Sequence, residues 1–145
     1  MDTPTEKNKA LAREVLEKVF NQHDLTAAAR YYREDYRQHN PNVPQGRAGF
    51  QQFFGAFMSA FPDLHADVEH LMAEGDQVVL FIRWTGTHLG DFQGLAPTGR
   101  RIEFQTADVF RIVEGLIAEH WDVVANTDML AALGVIRFEG GAKRM

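Results

Sequence analysis

Residues 101–124, RIEFQTADVFRIVEGLIAEHWDVV, read as two long β-strands joined by a tight turn at Glu114-Gly115. Side chains alternate across a strand, so Ile102, Phe104, Thr106, Asp108, Phe110 and Ile112 share one largely apolar face. On the return strand, Asp122 shares a face with Ala118, His120 and Val124. Asp is depleted in strands and costly to bury unpaired. One Asp in each of two paired strands therefore needs a reason, and lining a pocket to do acid/base chemistry is the expected one. A three-residue loop would set Asp108 directly opposite Asp122. A two-residue loop would offset them unless a bulge intervenes.

Working outward from this hairpin, residues 77–87, QVVLFIRWTGT, are apolar on both faces apart from Arg83. That pattern predicts a central strand covered on both sides. Glu74-Gly75-Asp76 predicts a hairpin turn. Before it, Leu64, Ala66, Val68 and His70 alternate with His65, Asp67, Glu69 and Leu71. His65 and His70 are therefore expected to face opposite ways. The result is a four-strand antiparallel meander.

The N-terminal part has helical period instead. Thr3-Pro4-Thr5-Glu6 is a capping box with Pro at the first helical position. Leu11, Val15, Leu16, Val19 and Phe20 form one stripe, which should end near Asn21-Gln22. Asp24 caps a short second helix that turns Leu25, Ala28, Tyr31 and Tyr32 inward. YRQHNPNVPQGR, residues 36–47, reads as irregular loop. A third helix, about Arg47 to Ala60, carries Phe50, Phe53, Phe54 and Phe57 on one face, with Phe61 continuing the spacing. Asn126-Thr127-Asp128 starts a final helical turn ended by Gly134, and residues 1–4 and 139–145 read as loose ends. Helices followed by strands predict an α+β fold, a single domain spanning 1–145.

The 145 residues include no cysteine, which rules out disulfides and thiolate chemistry and fits a reducing, cytoplasmic setting. No apolar run spans a membrane and no signal peptide is visible. A net charge of −5 without a basic run argues against nucleic-acid binding. The six histidines lack metal-ligand spacing, so no metal site is expected. Gly94 to Gly99 has the glycine spacing of a phosphate loop but leads into a strand, and no GxSxG elbow is present. His39, in the Pro-bound loop, and His88, where the central strand breaks, are candidates for the rim of a cavity. His120 and Arg83 are candidates for setting charge around the two Asp residues.

TGTHLGDFQGLAPTGRRIEF (85–104), DVFRIVEGLIAEHWDVV (108–124) and YRQHNPNVPQGRAGF (36–50) resemble the SnoaL-like polyketide cyclases, or ester cyclases. The resemblance implies a cone-shaped α+β barrel of the nuclear-transport-factor-two-like kind, with N-terminal helices packed on a curved, mainly antiparallel sheet. It also implies a pocket between sheet and helices, commonly a homodimer through the sheet, and intramolecular aldol condensation without metal or cofactor. By the same resemblance Asp122 matches the catalytic acid/base, and Asp108 stands where better-known cyclases carry a histidine. Limonene epoxide hydrolases use Arg-x-Asp on the central strand, where this chain has Arg83-Trp84-Thr85. Ketosteroid isomerases use an Asp before Pro, where this chain has Asn40-Pro41.

The expected enzyme takes a small, largely apolar carbonyl compound. Asp122 removes or returns the proton, Asp108, His39 and His120 tune or relay it, and Arg83 holds an oxyanion. Phe53, Phe57, Trp84, Phe104 and Phe110 exclude water, with His88 at the substrate's edge. The competing expectation is a binding or scaffold protein whose cone is packed solid with Phe.

Overall fold

The computed structural model describes residues 2–137 and Glu139; residues 1, 138 and 140–145, which include most of the expected C-terminal tail, lie outside the described set. The N-terminus is not loose from residue 3 onward. Helix α1 (Pro4–Val15) starts at Thr3, whose side chain accepts from Glu6 N–H while the Glu6 carboxylate accepts from Thr3 N–H. That reciprocal cap satisfies two donors that a helix start otherwise leaves open. The helix widens into a π-helical segment (Leu16–Asn21) ending at Asn21. The Asn21 amide donates to Ala66 C=O at 3.0 Å and accepts from Ala66 N–H at 2.7 Å, so a side chain pairs the strand edge it meets.

A 3₁₀ turn (Leu25–Ala27) capped by Asp24 leads through the single turn α2 (Ala28–Tyr31) into strand β1 (Tyr32–Gln38). This strand corrects the expected reading, which had helix up to Tyr32 and loop from Tyr36. Helix α3 (Gly46–Ala60) follows, then β2 (His65–Glu74), β3 (Gln77–Thr87), β4 (Arg101–Val113), β5 (Leu116–Val124) and α4 (Asn126–Ala132). The sheet order is β1-β5-β4-β3-β2, with β1 parallel to β5 and the other pairs antiparallel. The fold is α+β, as expected. The sheet has five strands, however, and it curls without closing into a barrel.

A bulge at Glu69 shifts the register of β2, since Val68 pairs Ile82 and His70 pairs Phe81. The inner row therefore runs Ala66, Val68, Leu71, Ala73. His65 and His70 both lie on the outer side, contrary to simple alternation. The inner face of β3 is Val78, Leu80, Ile82 and Trp84, all buried against the helices. Among the described residues nothing covers its outer face fully, and Phe81 is 41% exposed there. Phe20 joins the layers, meeting Phe50, Phe54 and Trp84 edge-on with ring centroids 5.0–5.7 Å apart. Among the described residues no helix is long and apolar enough to cross a membrane.

Candidate active site

The decisive hairpin closes with two residues. Val113 pairs Leu116, and Glu114 and Gly115 both adopt positive φ, at 52° and 77°. That is the backbone of a primed turn, which suits the twist of paired strands. By itself this loop would offset the carboxylates. A bulge between Arg111 and Ile112 inserts one extra residue on β5, and from there inward Arg111 pairs Glu119, Phe110 pairs His120 and Asp108 pairs Asp122. The bulge turns His120 and Asp122 onto the face of Asp108 and Phe110.

Parallel β1 supplies the other wall. Gln38 pairs His120, and its side chain reaches across to it. Asn40, two residues beyond, donates to Asp122 Oδ2 at 3.1 Å. Gln45 holds Gln38 in place, accepting from Gln38 N–H at 3.0 Å and donating to its carbonyl at 2.6 Å.

Backbone donors orient this network. Asn40 N–H can only donate, and it lies 3.0 Å from Gln38 Oε1, so that atom is the amide oxygen. His120 Nδ1, 2.8 Å from the same oxygen, must then donate to it. That leaves His120 Nε2 facing Asp108 Oδ2 at 2.7 Å and Asp122 Oδ2 at 4.0 Å. A single proton is shared on the short contact, either on imidazolium or on carboxylic acid. Asp108 Oδ1 accepts from Thr106 Oγ1, which in turn accepts from Trp84 Nε1 at 2.9 Å. Both oxygens of Asp108 are thereby committed. Asp122 is freer, and burial pushes its carboxyl above the usual range, partly countered by His120 and Asn40.

These groups sit at one end of a cavity of about 300 Å³. Phe53, Phe57, Trp84, Phe104 and Phe110 line it, together with Tyr32, Tyr36 and Phe50. The cone is therefore hollow, not packed solid with Phe. Sequence reasoning missed Tyr32, Tyr36, Gln38 and Thr106 as cavity-lining residues. The period-two run Tyr36, Gln38, Asn40 was the available signal, since it puts three polar groups on one side of an extended chain.

Three expected site residues lie elsewhere. Arg83 points outward from β3 to Glu69 and Glu103, half-exposed, so it is not available to an oxyanion inside. Thr85, on the same outer row, excludes the Arg-x-Asp geometry for this strand. His39 stacks on Trp121 with ring centroids 4.8 Å apart and pairs with Glu119 outside the cavity. His88 is fully buried but does not line the cavity. Thr98 N–H donates to its Nδ1, so the ring proton sits on Nε2, which has no partner among the described residues. Arg83 neighbours the inward Trp84, so strand parity turns it outward whatever its charge.

Among the described residues, Asp108, His120 and Asp122 are also the group whose ligand atoms converge closely enough for a metal, all within 4.8 Å. The set suits a hard or borderline divalent cation chemically, but holding one would require breaking the His120–Asp108 contact.

Solved structures share this architecture. AclR, a candidate hydroxylase from Streptomyces galilaeus, is 31% identical over 94% of this chain and 87% of its own, with a TM-score of 0.85. IdmH, a candidate polyketide cyclase from Streptomyces antibioticus, is 30% identical over 88% of this chain and 98% of its own, with a TM-score of 0.77. TsrD from Streptomyces laurentii is 27% identical over 94% and 99%, with a TM-score of 0.83. No curated protein matches the chain. The sequence pattern of one family, however, matches residues 10–133, nearly the whole of this fold and all of the Asp108–His120–Asp122 cluster: the chain belongs to the SnoaL-like polyketide cyclase family.

Proposed function

We propose that this protein is a cofactor-independent acid/base enzyme acting on a small, largely apolar carbonyl compound by cyclase-type chemistry, an intramolecular aldol condensation. The observation that carries the reading is Asp122, a largely shielded carboxyl with a raised pKa at the polar end of an aromatic cavity. Ionised Asp122 takes the proton α to a carbonyl. The resulting carbanion attacks a second carbonyl of the same molecule, forming the ring bond and an alkoxide. Protonated Asp122 returns the proton to that alkoxide, directly or by passing it to His120 Nε2, 4.0 Å away, as the imidazole delivers its own. Asp108 holds the imidazole and balances its charge. The aromatic walls exclude water, which strengthens each of these interactions.

The reading includes a homodimer through the outer face of the sheet, supported by Phe81 and Val123, which are 41% and 75% exposed there. The test is a panel of β-keto esters, assayed for loss of substrate with wild type and Asp122→Asn. Because AclR is a candidate hydroxylase, oxygen uptake is followed alongside. Full activity of Asp122→Asn on any substrate turned over would sink the assignment. Tight binding of the panel without turnover would favour a carrier or scaffold.

A further inference from the structure

Two tyrosine hydroxyls at the polar end of the cavity have protons that no described residue accepts. Tyr36 is 1% exposed and Tyr32 is 2% exposed, and both line the cavity. The Gln38 amide nitrogen lies 2.8 Å from Tyr36 Oη, and an NH₂ group can only donate. Tyr36 therefore accepts from Gln38, and its own O–H finds no acceptor among the described residues. The Tyr32 hydroxyl has no hydrogen bond to any described residue. It is also not sealed off: among the described residues, the sealed and unpartnered side-chain polar atom is His88 Nε2. Tyr32 Oη thus opens onto the cavity, and a buried hydroxyl left unmatched costs free energy unless something fills the gap.

From this hydrogen-bond geometry we infer that Tyr32 and Tyr36 form a neutral donor pair that binds an oxyanion of the ligand, an enolate or alkoxide oxygen, next to Asp108 and Asp122. The inference rests on the acid/base reading of the site and names the part of it that Arg83 was expected to play. The rings are fixed for the task. Tyr32 stacks on Phe50 at 4.5 Å and meets Tyr36 edge-on at 5.1 Å. Burial holds both phenols protonated, with the charges of Asp108 and Asp122 acting in the same sense. Neutral donors suit this place: they stabilise charge as it develops without neutralising the nearby base, as a fixed cation would.

The test reads binding, not turnover. 4-Nitrophenolate, supplied at a pH where it is fully ionised, is titrated into wild type, Tyr32→Phe and Tyr36→Phe and followed by its absorbance. 4-Nitroanisole, the same ring without an oxyanion, is the control. Each substitution should weaken 4-nitrophenolate by roughly 10- to 100-fold, the range for a hydrogen bond to a charged group, and leave 4-nitroanisole unchanged. No phenolate binding by wild type, unchanged phenolate affinity in both variants, or equal losses for both probes would overturn the pair. Because the probe arrives ionised and is not turned over, a full-activity Asp122→Asn enzyme would sink the acid/base reading and leave this result standing.

Discussion

Neighbouring residues on β5 carry two histidine–carboxylate pairs on opposite faces of one sheet. Inside, His120 bonds Asp108 at 2.7 Å with Asp122 beside it, and no Arg or Lys among the described residues lines the cavity. Outside, Glu119 bonds His39 and also Arg111 at 2.9 Å. The hydrogen bond from His39 and then that from Arg111 hold the Glu119 carboxyl below its usual range, whereas burial lifts Asp122 above its own. The same two residue types thus make an ion pair backed by Arg111 on one face and, on the other, a cluster of two carboxyls around one imidazole. The difference lies in the counter-charge that each face supplies, not in the histidines.

The comparison breaks most visibly in turnover. Asp122→Asn should lower the rate on an accepted substrate by about 10²- to 10⁴-fold, the usual weight of a general acid/base, while Glu119→Gln leaves it nearly unchanged. A comparable loss from Glu119→Gln in steady-state kinetics would show that the outer pair reaches the chemistry.

Packing should follow the same division. Leu80 is wholly buried on the inner face, so Leu80→Ala should cost about 2–5 kcal/mol in denaturant unfolding. Its neighbour Phe81 lies outside, and Phe81→Ala should cost less than about 1 kcal/mol. A larger cost that depends on protein concentration would mean that a second copy covers the outer face.

The two carboxylates should also move stability in opposite directions with pH. The pKa of Asp122 is raised on folding, so its ionisation penalises the fold. The penalty is absent below the unfolded pKa and complete above the folded one. Asp122→Asn should therefore melt above wild type at neutral pH and with it near about pH 3. Glu119 is the reverse, with stabilisation present above the unfolded pKa and lost as pH falls through the folded one. Glu119→Gln should melt below wild type at neutral pH, and the gap should close in acid. Melting curves across pH check both, and shifts of the same sign would refute the contrast.

The smallest effect belongs to Arg83. Its pairs with Glu69 and Glu103 are solvent-exposed, so Arg83→Ala should cost less than about 1 kcal/mol and leave turnover intact. A large loss of turnover would restore the role in substrate binding that the structure removes.

Local chemistry made much of this legible in advance. The α1 capping box, the Phe stripe of α3, the inner row of β4 and the turns at Gly75 and Gly115 depend on contacts within a few residues, and each stands where the residues put it. Asp108 and Asp122 stood out because Asp in a strand is locally unfavourable. Strand β1 did not stand out, since YREDYRQ is polar and extended only because β5 pairs with it. Nor did the bulges at Glu69 and on β5, which no alternation rule contains. Each flips the faces of everything beyond it, because side-chain parity along a strand is counted from the partner's register. Tertiary pairing therefore decided that Asp108 faces Asp122, that Arg83 and His39 stay outside, and that Gln38, Asn40 and the two tyrosines come in from β1.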